Sequence, residues 1–490
     1  MNIRTRFAPS PTGFLHIGGL RTALYCYLWA KHNDGDYLLR IEDTDRTRYV
    51  EGSVENLINA LEFCGVKHDE GPMLKDGKVV EVGDKGPYFQ SDRLDIYKKY
   101  INKLLDEGKA YYCFCDKERL DKLREEQVKN KQTPKYDGKC KNIPREEAER
   151  RIKNGESYVI RMALPENEDI TFYDEVRGEV TINTNDVDEQ VLIKADGFPT
   201  YHFAVVVDDH LMDVNYVIRG EEWLVSTPKH IILYNYLGWE APKFAHLPTV
   251  LNKNKKKLSK RHDSVAVEDF IQKGYLPEAL INYIALLGWS DPEGKEILSM
   301  DELIRDFDIS RVTKAGAVFD TEKLNWVNAH YIKEKSNEEL IALIKPYLLK
   351  DNLVNDDVSD EAMEYIVEAI KDKLNYLEES IELTKELYLK ANLDELDDKA
   401  KEVMDMETNE TLFENLISLF EQEEKLTPEI VSKSLKSIQK EFKIKGKALY
   451  MPTRIAISGI MHGADLTYIL SILGRDEVIL RLKNALDFIK

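Results

Sequence analysis

Two short segments of this chain combine residue types that could act on a phosphorylated substrate. The first, residues 6–19, reads Arg-Phe-Ala-Pro-Ser-Pro-Thr-Gly-Phe-Leu-His-Ile-Gly-Gly, and its prolines and glycine predict a turn between a strand and a helix. Free backbone N–H groups at a helix start favour a phosphate, and small residues there let a nucleotide approach the backbone. Taken alone, the glycines and His16 favour a tight strand–helix connection in which the histidine only caps the helix.

The second segment, residues 255–261, reads Lys-Lys-Lys-Leu-Ser-Lys-Arg. Lysine suits contact with triphosphate oxygens because its ammonium group is a hydrated point charge on a flexible stem. Most lysine runs are solvated loops, so this segment alone is also a weak indication of function.

The elements around the first segment predict a parallel sheet. Thr5–Ala8 reads as a strand, a helix follows from about Gly19 to His32, and Tyr37–Ile41 reads as a second strand that ends at Glu42–Asp45. Strand, helix and strand in this order form a βαβ unit. Ligands of such sheets bind at the carboxyl ends of the strands, where both the turn and the carboxylates lie.

The rest of the chain changes character three times. Residues 110–195 hold three of the five cysteines and read as an inserted α+β subdomain, after which the α/β pattern resumes. The helices predicted in these two parts are Lys117–Lys131 and Thr227–Leu237, and the strands are Tyr158–Ala163, Glu179–Asn183, Phe203–Val207 and Tyr216–Ile218. Beyond the lysine cluster, apolar residues recur at helical spacing almost to the C-terminus.

The predicted fold is therefore a Rossmann-type α/β domain with a parallel sheet and an inserted α+β subdomain, followed by an all-α region. The predicted segments are 1–109 and 196–250 for the two halves of the Rossmann-type domain, 110–195 for the insertion, 251–335 for a domain with the lysine loop, and 336–490 for the helical domain.

Composition limits the class of protein. A net charge of −20 argues against a nucleic-acid partner when taken alone and favours a metabolic enzyme, although a local basic surface can still bind RNA. Five unevenly spaced cysteines do not predict a disulfide framework. The sequence shows neither a leader-like apolar segment nor an apolar run of the roughly 20 residues that a membrane span needs. We therefore expect a cytoplasmic protein, and a monomer because no coiled-coil pattern is present.

Together, the two segments resemble the His-Ile-Gly-His and Lys-Met-Ser-Lys-Ser signatures of class I aminoacyl-tRNA synthetases. Here they stand as His16–Gly19 and Lys257–Arg261. Further motifs resemble the glutamyl-tRNA synthetase family over nearly the whole chain: Arg40–Asp45, Gly197–His202, Val207–His210, Arg219–Leu224, Ala448–Pro452 and Gly459–Gly463. Gly19 stands where the class signature has its second histidine, which leaves His16 and Lys260 with more of the phosphate-facing role. Leu258 and Arg261 also depart from the general lysine-loop signature.

The resemblance implies an ATP site. His16, Lys257 and Lys260 would stabilise charge on the phosphates as pyrophosphate leaves. The residues expected around ATP and its Mg²⁺ are His16, Gly18, Gly19, Glu221, Glu222, Lys257, Ser259 and Lys260.

It also implies a site for L-glutamate. Arg6 and Arg219 would hold the side-chain carboxylate, which an arginine fork fits in bidentate fashion. Glu42 would accept the ammonium group, Ser10 would contact the α-carboxylate, and Tyr201 would close the pocket. The alternative for Arg6, Glu42 and Arg219 is a structural ion pair, and their position at strand ends favours the functional interpretation.

The activity implied is ATP-dependent ligation of glutamate to the 3′ end of tRNA(Glu) through a glutamyl-adenylate. The resemblance implies that the inserted subdomain binds the tRNA acceptor end, that the lysine-loop domain contacts the tRNA stem and that the helical domain binds the anticodon. Glutaminyl-tRNA synthetases typically carry a β-rich anticodon part, and the short paralogue that modifies a tRNA base lacks one; both are disfavoured by the helical C-terminal half. Two alternatives stay open: an enzyme that also charges tRNA(Gln), and a non-catalytic RNA-binding paralogue. Basic residues at 253–261 and 433–447 are candidate RNA contacts, and for the second run a solvated helix face is an equal alternative.

Cys113, Cys115 and Cys140 form a candidate structural zinc site. Family members often place a fourth ligand two residues after the last cysteine, where this chain has Asn142, a poor ligand. The alternatives are Tyr136, whose spacing from Cys140 is seen in a related enzyme, and His68. Three reduced cysteines packed without metal are the simpler alternative.

Overall fold

The computed structural model describes residues 2–258 and 265–490, and they form two compact units. The first unit comprises Met1–Phe270 and Leu280–Thr321, and the second comprises Ile271–Ala279 and Glu322–Lys490. The five segments predicted from the sequence divide the chain more finely, and their boundaries stay a prediction.

The elements up to the end of the inserted segment alternate between strands and helices. They are β1 (Arg4–Phe7), α1 (Ile17–His32), β2 (Asp36–Leu39), α2 (Ser53–Phe63), β3 (Gly71–Lys75), β4 (Lys78–Val82), α3 (Leu94–Asp106), β5 (Ala110–Cys113), α4 (Lys117–Lys129), α5 (Arg145–Lys153), β6 (Val159–Met162), β7 (Asp169–Asp174), β8 (Gly178–Asn183) and β9 (Val191–Ile193).

The chain then continues through a second α/β part into helices. These elements are α6 (Tyr201–Leu211), β10 (Tyr216–Gly220), α7 (Thr227–Leu237), β11 (Lys243–Leu247), β12 (Val250–Leu251), α8 (Val267–Lys273), α9 (Pro277–Ala285), α10 (Met300–Asp306), β13 (Ala317–Val318), α11 (Thr321–Glu334), α12 (Asn337–Lys350), α13 (Asp360–Ile370), α14 (Ser380–Leu387), α15 (Asp398–Met404), α16 (Asn409–Glu421), α17 (Pro428–Glu441), α18 (Lys447–Ser458), α19 (Leu466–Leu473) and α20 (Arg475–Ile489).

A parallel sheet forms the centre of the first unit, as the sequence predicts. β1 pairs in parallel with β2, and β10 pairs in parallel with β11. The N–H of Asn215, just before β10, donates to the carbonyl of Arg4 at 3.1 Å and places β10 beside β1. The carboxyl ends of these strands therefore lie at one edge, where α/β sheets bind ligands.

The predicted insertion contributes to two sheets. β5, β6 and β9 form an antiparallel sheet of their own, as expected for an α+β subdomain. β7 instead continues the main sheet, because Asp174 pairs in parallel with Phe244 of β11, and β8 folds back on β7 as a hairpin. The end of β7 is thereby brought to the same sheet edge as the candidate site.

The prediction of a strand at Phe203–Val207 is wrong, because these residues lie within helix α6. Seven consecutive residues of α6, from Phe203 to Asp209, are buried. An apolar run of this length is compatible with a buried strand or a helix that is covered on all sides, and periodicity does not separate the two. α6 is covered because the core around Phe203–Val207 draws on α3, α7 and the β5–β6–β9 sheet.

The second unit is built from helices, which confirms the predicted all-α region. Within 322–490 its regular elements are helices, and apolar stripes such as Leu340, Ile344 and Leu348 of α12 form the interior. Several of its helix starts are capped by side chains, including a capping box at Ser336. Among the described residues, no helix is long and apolar enough to cross a membrane.

Helix α6 also carries two buried carboxylates that bind the sheet to the rest of the unit. Asp208 is fully buried and accepts from Arg93 Nε at 2.7 Å, from Tyr97 Oη at 2.7 Å and from Gln90 Nε2 at 2.9 Å. Removing one partner of a buried ion pair leaves the other charge without compensation.

Asp208→Ala should therefore lower the free energy of unfolding by about 3–5 kcal/mol, measured by urea denaturation. The matched control is Glu149→Ala on α5, since Glu149 pairs with Arg145 in an exposed ion pair whose loss should change stability by less than about 1 kcal/mol. Equal effects of the two substitutions would contradict the importance of the buried carboxylate.

Candidate active site

A cavity of about 920 Å³ opens at the carboxyl edge of the parallel sheet. It brings together most of the residues that the sequence predicted for the two substrate sites. Those that line it are Arg6, Ser10, His16, Gly18, Gly19, Glu42, Tyr201, Arg219, Glu222 and Lys257. Ser259 and Lys260, the other predicted phosphate ligands, lie outside the described residues, as does Arg261 of the same motif.

His16 caps α1 and still presents a donor to the cavity. Its Nδ1 accepts from the N–H of Gly19 at 3.2 Å, so the ring proton of the neutral imidazole lies on Nε2. A Cβ at Gly18 would lie 3.1 Å from the His16 ring, and one at Gly19 would lie 2.8 Å from Leu15. The glycines thus allow the imidazole to fold back onto the helix start, where its exposed Nε2–H can meet a phosphate.

The described part of the lysine segment forms a tight turn beside this helix start. Asn252 N–H donates to the carbonyl of Lys256 at 2.8 Å, and Lys257 bridges back to Leu251. Lys257 is exposed and lines the cavity. On the far side of the undescribed residues, Val267 N–H donates to the carbonyl of Leu15 at 2.9 Å, so that end adjoins the helix-start turn. Lys257, at the near end, lines the same cavity as His16.

Arg6 and Glu42 belong to one buried ion network. Asp209 of α6 accepts from Arg6 Nε at 3.1 Å and from Arg40 at 2.7 Å, and Arg40 also donates to Glu42 Oε1 at 3.3 Å. Arg40 is fully buried, and Arg6 and Glu42 are nearly so. The structural ion pair foreseen as an alternative is thus present, and both side chains also face the cavity.

Burial raises the pKa of Glu42 to about 7, although Arg40 and Arg6 oppose the shift by favouring the ionised form. A cation in the cavity would lower this pKa again. The carboxyl group of Glu42 is therefore suited to binding an ammonium group near neutral pH.

Arg219 is held differently, because its hydrogen-bond acceptors are neutral. It donates to His246 Nε2 at 3.0 Å, His230 Nδ1 at 3.1 Å, Thr227 Oγ1 at 2.9 Å and the Tyr201 hydroxyl at 3.3 Å. The side chain is 5% exposed, and within 2–258 and 265–490 no carboxylate forms an ion pair with it. A buried guanidinium without a counter-ion at a cavity wall is suited to binding an anionic ligand.

Aromatic residues form the wall beside Arg219. The rings of Tyr201 and Trp223 lie 4.1 Å apart at 33°. Ser10 is exposed at the turn after β1 and also lines the cavity.

Glu221 and Glu222, both predicted to face the nucleotide, point in different directions. Glu222 lines the cavity and folds over Gly220, where a Cβ would overlap its carboxylate. Glu221 accepts from the Thr249 N–H at 2.7 Å and hydroxyl at 2.6 Å and pairs with Arg177. Its contacts fix the loop after β11 and do not place it at the cavity.

The three predicted metal-binding cysteines form one cluster at the end of β5, with ligand atoms within 4.8 Å of one another. The Tyr136 hydroxyl lies 3.4 Å from both Cys113 Sγ and Cys115 Sγ, and Cys115 Sγ lies 3.6 Å from Cys140 Sγ. Tetrahedral zinc with bonds of about 2.3 Å to sulfur separates its ligands by about 3.8 Å. Three sulfurs and one phenol at these spacings fit a zinc ion. His68 is not part of this cluster and contacts the carbonyl of Pro72 at 2.7 Å.

Sequence reasoning missed the groups that hold the predicted residues in place. Asp208 and Asp209 lie in the Val207–His210 motif, but the sequence predicts no role for them. His230, His246 and Asp174 gave no signal except that His246 is a polar residue within an apolar strand.

Comparison with known proteins finds a family match for each of the two units. Residues 2–326 match the family of class I tRNA synthetases (E and Q), catalytic domain, and residues 339–486 match an anticodon binding domain. The chain is 54% identical over 488 residues to a glutamate–tRNA ligase of Finegoldia magna, with 99% of each chain covered. It is 53% identical over 486 residues to that of Clostridioides difficile, with 98% of each covered. Its structure resembles the crystal structure of a glutamate tRNA ligase from Elizabethkingia meningosepticum in complex with its amino acid, with a TM-score of 0.89, 38% identity and 100% of both chains covered.

The raised pKa of Glu42 has a consequence for stability. The carboxyl group loses its proton at about 7 in the folded state and near its ordinary value of 4.5 in the unfolded chain. Stability therefore falls as pH rises through this window, by about 3 kcal/mol in total. Urea denaturation at pH 5.0 and 8.0 should show this loss in the wild type and not in Glu42→Gln. The exposed Glu149→Gln is the matched control and should keep the wild-type pH dependence. A pH dependence that persists in Glu42→Gln, or that is lost equally in Glu149→Gln, would contradict the assignment.

Proposed function

The chain belongs to the glutamate–tRNA ligases of the class I aminoacyl-tRNA synthetases, which ligate glutamate to tRNA, and we propose from this premise how its residues carry out the reaction. The observation that carries the proposal is the cavity that joins a helix-start phosphate site to a buried arginine without a counter-ion. The two ends of this cavity correspond to ATP and L-glutamate.

The first step joins the α-carboxylate of glutamate to the α-phosphorus of ATP, bound as its Mg²⁺ complex, and releases diphosphate. His16 donates from Nε2 to the phosphates, and Lys257 adds a positive charge on the opposite side. Lys260 is proposed for the same role, from the sequence motif alone. No protein nucleophile is needed, because positioning and stabilisation of the developing charge supply the catalysis.

Glutamate binds at the inner end of the cavity. Arg219 and Arg6 bind its side-chain carboxylate, Glu42 accepts its ammonium group, and Ser10 contacts the α-carboxylate. Tyr201 gives the weakest of the four contacts of Arg219, at 3.3 Å, and can yield its place to the substrate. The positive charge of the two arginines then favours glutamate over glutamine. The amide NH₂ of glutamine would face arginine N–H donors, and a buried donor left without an acceptor strongly disfavours its binding.

The second step transfers the glutamyl group from the adenylate to the terminal adenosine of tRNA and releases AMP. We propose that the helical unit binds the anticodon arm through the exposed lysines of 433–447. Phe442 is exposed among these lysines, and Tyr450 is exposed three residues after the last of them. Aromatic side chains suit stacking on unpaired bases, and lysines suit the phosphates. Five free cysteines fit a reducing compartment, so we propose a cytoplasmic enzyme, acting as a monomer.

The test is aminoacylation with labelled glutamate, ATP and Mg²⁺, run separately on tRNA(Glu) and tRNA(Gln). We expect charging of tRNA(Glu). If the enzyme is discriminating, adding tRNA(Gln) as a competitor should raise the KM for tRNA(Glu) less than about twofold. Charging of both would keep the chemistry and identify a non-discriminating enzyme. Charging of neither by a folded protein that binds ATP would favour the non-catalytic RNA-binding paralogue.

We propose a structural zinc ion held by Cys113, Cys115 and Cys140, with Tyr136 as the fourth ligand. The ion would tie the end of β5 to the loop after α4 and so fix the part of the insertion that meets the tRNA acceptor end. Arg161 lies over the Tyr136 ring at 4.1 Å and Arg119 donates to Cys115 at 3.4 Å, so positive charge surrounds the thiolates.

Elemental analysis of the purified protein should find about one zinc per chain, since each chain holds one such cluster. Cys140→Ser should lower this content strongly, and Tyr136→Phe should weaken zinc retention against a chelator about 10- to 100-fold. Cys64→Ser is the matched control, because Cys64 is also buried but lies outside the cluster. Wild-type protein without zinc, or equal zinc in all variants, would contradict the site.

A further inference from the structure

A chain of buried polar side chains leads from Arg219 to the inserted segment. Asp174 ends β7, His246 lies on β11, and His230 lies on α7. All three are at most 1% exposed. The substrate roles proposed above use none of them, although His246 and His230 contact the arginine that is assigned to the substrate carboxylate and Asp174 contacts His246.

The hydrogen bonds of Asp174 determine which nitrogen of His246 carries the proton. Asp174 Oδ1 accepts from the N–H groups of Val176 at 3.0 Å and Arg177 at 2.8 Å, and Oδ2 accepts from His246 Nδ1 at 2.6 Å and from its N–H at 3.1 Å. The carboxylate therefore faces donors on every side, which lowers its pKa against the opposing effect of burial. His246 must carry its proton on Nδ1, and its Nε2 presents a lone pair to Arg219.

The hydrogen bonds of His230 likewise determine which of its nitrogens carries the proton. Its Nδ1 accepts from Arg219 at 3.1 Å, so its proton lies on Nε2, which donates to His202 Nδ1 at 3.0 Å. Burial and the charge of Arg219 lower the pKa of His230 well below its ordinary value, and burial lowers the pKa of His202 to about 3. Both histidines are therefore neutral.

Two requirements on Arg219 conflict, and neutral histidines satisfy both. The guanidinium must be held in one orientation, and its charge must stay available for the substrate. A carboxylate partner would hold it but would also neutralise it, so glutamine would be excluded less strongly. The lone pairs of the two neutral imidazoles hold the Nε–H and one Nη1–H of Arg219 without cancelling its charge.

We infer that Asp174, His246 and His230 are positioning residues that fix the orientation of Arg219 through a defined proton arrangement and thereby set the preference for glutamate over glutamine. The inference rests on the proposed role of Arg219. It assigns a part in amino-acid specificity to β7, which belongs to the segment predicted to contact tRNA.

Asp174→Asn is the central variant because it preserves shape and changes one acceptor into a donor. If the amide NH₂ faces Val176 and Arg177, it opposes two backbone donors. If it faces His246, the ring must move its proton to Nε2, where it opposes the Nε–H of Arg219. We expect the KM for glutamate in aminoacylation to rise about 10- to 100-fold, the KM for ATP to change less than about threefold, and the ratio of kcat/KM for glutamate over glutamine to fall at least about tenfold.

A pair of variants at His246 separates orientation from packing. His246→Gln can place its amide oxygen where Nε2 lies, whereas His246→Phe keeps the volume and has no acceptor. We expect the KM for glutamate to rise in the order wild type, His246→Gln, His246→Phe. The matched controls are His68→Gln and His68→Phe, since His68 is also a buried histidine but lies outside the cavity; neither should change the KM for glutamate.

Arg219→Lys distinguishes failure of this inference from failure of the proposed site. Lysine lacks the bidentate fork, so the KM for glutamate should rise at least about 100-fold. A normal KM in Arg219→Lys would overturn the proposed site itself. A raised KM there, with wild-type KM and selectivity in Asp174→Asn and His246→Phe, would overturn the positioning inference alone. Should Asp174→Asn fail to fold, the difference between the two His246 variants decides, and their equality would overturn it.

Discussion

The architecture of the site depends on a buried charge network that ties helix α6 to the parallel sheet. Three arginines, Arg6, Arg40 and Arg93, meet three carboxylates, Glu42, Asp208 and Asp209, at distances of 2.7–4.0 Å. Burying so many charges is tolerable only when each has a partner with good geometry. The network therefore fixes the position of α6 relative to β1 and of Glu42 relative to Arg6, and α6 in turn begins with Tyr201 at the cavity.

The two arginines proposed for the substrate carboxylate are treated differently by the fold. Arg6 shares Asp209 with Arg40, so much of its charge is compensated before any ligand arrives. Within the described residues, the hydrogen-bond acceptors of Arg219 are neutral. Of these two arginines, Arg219 therefore keeps more of its charge for the substrate and should contribute more to selection by charge than Arg6. An arginine without a counter-ion destabilises the free protein, and this cost is one that enzymes accept at sites whose substrate supplies the missing charge.

The sequence predicts the site better than it predicts the structure that holds the site. Residues near turns and strand ends, such as His16, Glu42 and Arg219, are recognisable because local patterns place them at the carboxyl edge of a sheet. A strand is predicted over Phe203–Val207, and a strand that continued to Asp208 and Asp209 would point them to opposite faces of the sheet. The structure has helix α6 here, and both carboxylates join one buried network with the arginines. Because an apolar run of this length fits a buried strand as well as a buried helix, the sequence does not predict the partners of Arg6 and Arg93.

The proton arrangement around Arg219 cannot be predicted from local sequence patterns, and the reason is a different one. Asp174, His246 and Arg219 come from three strands that are distant in sequence, and their order in space depends on β7 pairing with β11. Tyr136 shows the opposite case, since its spacing from Cys140 is short and a family precedent existed. Contacts within about ten residues leave a sequence pattern, whereas contacts made by strand order do not.

The acidic composition of the chain is compatible with an RNA substrate. Net charge sums over the whole surface, whereas binding depends on the local potential within about a Debye length, near 8 Å at physiological ionic strength. Lys257 and His16 are exposed at the mouth of the cavity, and the lysines at 443, 445 and 447 are exposed together on the helical unit. Acidic residues elsewhere repel RNA, so a net negative charge is compatible with RNA binding that is confined to basic surfaces of this kind.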